Sequence, residues 1–172
     1  MRAQRNEKLT LGYMRDHQPF DILPEEYFAC AMPDRAEPPS FLYGFAVPFR
    51  GTFTASMEIL RDMQRKIPAK YDWSDRKKYK SIDAICRYVE SRIEGDIEFR
   101  VRQSLVDCNP DTLFIFYIYN SWMPRQPKAP EWLFELAGKV TQVFGDLGWK
   151  APEPKWYIDN YMRAYDDSLD FN

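Results

Sequence analysis

His17 is the only histidine in the 172 residues, so any Ser-His or Cys-His nucleophile pair must use it. It lies in RDHQPFD, read as a loop before Pro19, and Cys30 is the thiol nearest in sequence. Nothing in that spacing sets nucleophile, base and orienting group together. Cys30, Cys86 and Cys108 are widely spaced and odd in number, which fits reduced thiols better than a disulfide framework. There is no CxxC, no HxxxH and no cluster of histidine with carboxylates, so no metal is assigned. Phosphate-cradling patterns of the GxGxxG or GxxxxGKS/T kind are missing as well, so no cofactor is expected. GDLG, residues 145 to 148, shares only two glycines with a backbone-clamping loop, and helix termination accounts for them better. The paired acids Glu90 and Glu94, and Asp166 and Asp167, are read as solvated surface.

What remains is chemistry of recognition. Trp122 and Met123 stand in a proline-rich loop, NSWMPRQPKAP. The terminal stretch WKAPEPKWYIDNYMRAYDD sets Trp149, Trp156, Tyr157, Tyr161 and Tyr165 among acids that include Asp166 and Asp167. Exposed aromatics ringed by charge are the usual composition of interface anchors, and the acids would favour a basic partner protein. The first expectation is therefore a non-catalytic protein that binds another protein, as an inhibitor, antidote or adaptor.

The alternative is a small-molecule-binding protein or enzyme with an aromatic-lined pocket, its polar groups drawn from His17, Tyr43, Tyr117 and Tyr119. A third reading uses the basic stretch 65–80, where seven cations surround Tyr71, Trp73 and Tyr79 in a pattern suited to single-stranded nucleic acid. Asp72 and Asp75 interrupt it, and a net charge of −2 supplies no general field for a polyanion, so nucleic acid ranks last.

The elements that must position these residues follow from periodicity. KLTLGYMR, residues 8–15, alternates Leu9, Leu11 and Tyr13 as a short strand would. Pro24 followed by two glutamates reads as the start of a two-turn helix closed by Pro33. FLYGFAV, 41–47, is apolar on both sides, as in a strand covered twice. Helical spacing then predicts amphipathic helices over 52–67, 81–94 and 130–147, with Thr52 or Thr54 as the first cap. IEFRVRQSLV alternates apolar and charged residues, and DCNPD joins it to LFIFYIY, which is apolar throughout. This predicts a hairpin of 96–106 with 112–120, with LFIFYIY at the middle of the sheet. Tyr157, Tyr161 and Tyr165 are spaced for a last short helix, followed by a frayed acidic tail over 166–172.

The fold class expected is therefore α+β, one domain over 1–172, with a small and mainly antiparallel sheet packed against those helices. The length suits one core, and 16% aromatic residues with only 7 glycines supply bulky packing material. LFIFYIY is far short of the ~20 apolar residues needed to span a bilayer as a helix, so no membrane contact is expected. The amino-terminal residues carry charges throughout and lack the apolar stretch of a secretory signal, so the cytoplasm is the expected location.

Overall fold

The computed structural model describes residues 11–28, 40–71, 80–93, 99–103, 111–122 and 128–159. Among these residues are four α-helices: α1 (Leu11–His17), α2 (Phe53–Arg65), α3 (Lys80–Arg92) and α4 (Trp132–Asp146). Four strands accompany them: β1 (Phe41–Pro48), β2 (Arg100–Gln103), β3 (Thr112–Asn120) and β4 (Lys155–Ile158). The strands form one sheet in the order β2-β3-β1-β4, and every neighbouring pair is antiparallel. Each helical crossover thus joins two strands that have a third between them. That is the connectivity of two interlocked split β-α-β units, the ferredoxin-like arrangement, with two helices in the first crossover.

LFIFYIY shares the middle of the sheet with FLYGFAV because both runs can be covered on both faces. Leu113 to Tyr119 are all buried. Phe114, Phe116 and Ile118 join Phe41, Phe45 and Val47 on the side that carries the helices, while Ile115 and Tyr117 join Leu42 and Tyr157 on the opposite side. Each such side chain contributes about 1.5–3 kcal/mol when fully buried. The helices meet the sheet through stripes at three- and four-residue spacing: Met57, Leu60 and Met63 on α2, Ile85 and Val89 on α3, and Leu133, Leu136, Val140 and Phe144 on α4. An aromatic column fills the centre. Phe99 stacks on Phe116 at 5.6 Å, Phe116 meets Phe144 at 5.4 Å, and Phe144 meets Trp149 edge-on at 4.7 Å.

Thr52 caps α2, its hydroxyl accepting from the Ala55 N–H at 3.1 Å. A β-bulge interrupts the central pair. Tyr43 lies opposite Tyr119 but Gly44 lies opposite Tyr117, which leaves Ile118 without a partner across the ladder. The bulge turns Tyr119 to the helix side, away from Tyr117.

Three expectations are corrected. The stretch expected as a strand over 8–15 is helical from Leu11 onward. Alternation across three residues cannot separate a period of two from 3.6, and the helical spacing is used: Tyr13 and His17 stack at 3.8 Å, and the Gln18 N–H donates to the Met14 carbonyl. The helix expected from Pro24 to Pro33 opens as a 3-10 turn, Glu25–Tyr27, after which Phe28 is extended and both Tyr27 and Phe28 enter the core; residues 29–33 lie outside the described residues. The tail expected to start a helix at Trp156 instead forms β4, pairing Lys155–Ile158 with Phe41–Gly44. The demand of β1 for an outer neighbour outweighs the tyrosine spacing. The outer edge of β4 is itself closed, since Phe20 and Trp156 exchange backbone hydrogen bonds at 3.0 and 2.9 Å and the Gln18 side chain accepts from the Ile158 N–H.

Candidate functional site

β4 pairs with only the first half of β1. The Ser40 carbonyl accepts from the Asp159 N–H at 2.8 Å, so by antiparallel alternation the even-numbered residues of β1 turn their backbone groups toward β4. Continuing that register would set Ala46 opposite Glu153. Among the described residues no ladder bond forms there. Pro152 and Pro154 bias the preceding chain toward extended, non-laddered backbone. The chain stands off, and a cleft of about 690 Å³ opens along this half of the edge, reaching Met63 on the helix side and Tyr157 on the other.

The far wall of the cleft is built by the end of α4. Gly148 has φ +75°, its N–H donates to Gly145 O at 2.8 Å, and the Trp149 N–H donates to Phe144 O at 2.9 Å. This is a Schellman ending, and the Trp149–Phe144 ring contact is the apolar clasp that accompanies it. A side chain at 148 is disfavoured by the backbone, and it would also have to displace the flexible end of Lys66. Its φ favours glycine, and a Cβ would fall 1.8 Å from Lys66 Nζ. The motif therefore sets Trp149, half-buried, on the rim, with the exposed Lys150 beside it and Arg50 and Asp111 also lining the cleft.

A second surface lies at the first turn of α4. Leu133, Leu136, Ala137 and Val140 define its buried stripe, and Trp132 and Phe134 stand on either flank, 51% and 56% exposed. Each ring meets a buried tyrosine edge-on: Trp132 with Tyr119 at 5.8 Å, Phe134 with Tyr43 at 6.0 Å. Glu131 and Glu135 occupy the outward arc between them, both exposed. Lys139 lies 2.8 Å from Glu135 and holds its carboxyl below the usual range.

The residues expected to bind a partner are separated by the fold. Trp149 is on the cleft rim, and Trp122 is half-buried where β3 ends, its N–H donating to Asn120 Oδ1 at 2.8 Å. Trp156 and Tyr157 are buried in β4 and serve as framework, the physical reason being the strand pairing described above. Met123, Tyr161, Tyr165, Asp166 and Asp167 lie outside the described residues.

Of the alternative pocket, Tyr43 and Tyr119 share the helix side, Tyr117 is on the opposite side, and His17 is exposed, its Nδ1 2.7 Å from the Tyr13 carbonyl oxygen. They do not converge. In the basic stretch, Arg65 pairs with Asp62 and Lys70 sits 5.0 Å above the Tyr71 ring, while 72–79 lie outside the described residues.

In the sequence Trp132 follows the proline-rich loop of Trp122 and Met123 and also falls at the helical spacing of α4, so spacing alone does not pair it with Phe134 as a site. A signal did exist: Trp132 and Phe134 flank Leu133 and lie off the stripe that Leu133, Leu136 and Val140 define.

Burial pushes the Cys86 thiol up, with Glu90 and Asp83 adding to the shift, so it stays protonated and unreactive near neutrality. Burial also raises Tyr43 and Tyr27, and pushes Tyr157 up to about 12 from 10.0. The folded state holds the Tyr157 proton that the unfolded chain releases first. Its contribution is complete below the unfolded value and is lost as pH rises through the folded one, amounting to about 3 kcal/mol for a shift of this size. The melting temperature is expected to fall between about pH 10 and about pH 12 alongside phenolate absorbance. Tyr157→Phe should flatten that slope; an unchanged slope would show that Tyr157 is not the group responsible.

Among the described residues, no group of three or more His, Cys, Asp or Glu could hold a metal ion, and no helix is long and apolar enough to cross a membrane. No protein-family model, curated protein or solved structure matches the chain.

Proposed function

We propose that this chain works without catalysis, by binding another protein in the manner of an inhibitor, antidote or adaptor, through an aromatic and acidic surface. The observation that carries the reading is the first turn of α4. Two large rings are half-exposed there, yet each is braced by a buried tyrosine, so little side-chain freedom is lost when a partner covers them. Rigid aromatics of this kind dominate binding energy at protein interfaces. Glu131 and Glu135 between the rings favour a basic partner surface and would make its capture weaken as salt is raised.

The test compares the full chain with a Trp132→Ser, Phe134→Ser variant, each recovered after cross-linking in the cells that make it. A specific protein should be captured by the parent and bound about thirtyfold more weakly by the variant, because two interface anchors worth about 1 kcal/mol each are removed. The variant should melt within a few degrees of the parent, since neither ring is in the core. Recovery of the parent as a bare monomer, or equal capture by both chains, would count against the reading.

A further inference from the structure

The cleft beside the open half of β1 is separate from the α4 surface, which flanks Tyr43 and Tyr119 rather than Ala46 and Pro48. We propose that this cleft binds a small organic monoanion, a carboxylate carried on an apolar body. The charge on its walls gives the sign. Of the two acids lining it, Asp62 is already neutralised by its ion pair with Arg65 on the same helix. Arg50 and Lys150 line it and form no ion pair among the described residues, and the same holds for Lys66, whose ammonium lies against Gly148 at the rim.

Two unneutralised cations thus line the cleft with one unneutralised acid, Asp111, and the Lys66 ammonium beside Gly148 adds to the positive side of the balance. That balance attracts an anion, while Asp111 opposes a second negative charge, which favours a carboxylate over a dianionic phosphate ester. The planar fork of Arg50 is suited to the two oxygens of a carboxylate, and Lys150 supplies a flexible second donor.

The rest of the wall suits an apolar body. Ile59 and Met63 on α2 and the half-buried Trp149 ring provide one side, and Ala46 and Pro48 the edge of the sheet. At about 690 Å³ the space matches ordinary small-ligand sites, which run from about 300 to about 1,000 Å³. An added peptide strand fits this edge poorly. Pro48 has no N–H to offer, so Ala46 alone presents both backbone groups on this stretch.

The probe pair is 4-phenylbutyrate and its neutral counterpart 4-phenylbutanol, titrated into the isotopically labelled full chain and followed by amide and indole shifts. Shifts should group on residues 46–50 and 147–151 and on the Trp149 indole N–H. The acid should bind about tenfold more tightly than the alcohol, the increment expected of one charge-assisted pair. Arg50→Gln combined with Lys150→Gln should erase that preference while leaving the binding of the alcohol intact. Lys70→Gln, at a cation outside the cleft, should leave both unchanged. The proposal is overturned by equal affinity for acid and alcohol, by a preference that survives the double substitution, by shifts scattered over the surface, or by no shift up to millimolar probe. None of these outcomes bears on protein capture by Trp132 and Phe134, so the two readings fail separately.

Discussion

Replacing Trp156 by alanine is expected to lower stability by about 3–5 kcal/mol, the cost of emptying a large aromatic site in a packed core. Trp156 is 1% exposed and is enclosed by Tyr43 at 5.1 Å, Phe28 at 5.7 Å and Tyr119 at 6.1 Å. It joins three parts of the chain that share no local contact: the segment before β1, the central strands and β4. Against a typical total of about 5–15 kcal/mol, that loss is a large fraction of the stability. Deleting residues 154–172 should cost more, because it removes Trp156 and Ile158 from the core and leaves β1 with a bare edge along its whole length. Urea unfolding of the two variants against the parent measures both effects. A Trp156→Ala midpoint shift worth less than about 1 kcal/mol would show that β4 is not docked as described.

Gly44→Ala is expected to be comparably damaging, on the order of 3 kcal/mol or more, although it adds a single methyl group. A Cβ at this position would lie 2.1 Å from the Phe116 carbonyl oxygen and 2.6 Å from the Tyr117 Cα. Both are backbone atoms of the neighbouring central strand, so no side chain can move aside to relieve the contact. The position coincides with the bulge at which the register of β1 and β3 steps. Relief would require parting the two best-buried strands of the sheet. Gly145→Ala is the matched control, since a Cβ there meets nothing within 4 Å; in the last helical turn that change should be neutral or mildly stabilising. If Gly44→Ala and Gly145→Ala melt alike, the close approach at the bulge does not exist.

These two sites also mark how far the sequence could be read. The runs FLYGFAV and LFIFYIY announce twice-covered strands, because an uninterrupted apolar stretch bounded by Pro48 or by Asn120 has few other places to go. The stripes of α2, α3 and α4 are legible for the same reason, and their caps at Thr52 and Gly148 carry local signatures. β4 is not legible. KWYI is four residues long, and what makes it a strand is the outer edge of Phe41–Gly44, far away in sequence.

The bulge is equally hidden. Tyr117 and Tyr119 are two apart and read as one face, and only the unpaired Ile118 separates them. The cleft draws on the end of β1, on α2, on Asp111 and on the chain after α4, and each of these pieces is unremarkable by itself. The Gly-Trp pair at 148 and 149, following Phe144, was its one local signal, and it specifies the helix ending rather than the space beyond it.

The strand order has a consequence in time as well as in space. β1 emerges first among the strands, yet its inner neighbour β3 follows two helices and another strand, and its outer neighbour β4 follows every other described element. Contacts that close such long loops are slow to form. During synthesis β1 must therefore wait with both edges bare, as an apolar strand of the kind that recruits other chains. Pro48, which interrupts donation at the end of β1, and the charge of Arg50 just beyond it act as a brake on such mispairing. The residues that make the open half of the mature edge a poor template for an added strand are thus the ones that protect the nascent chain before its last strand arrives.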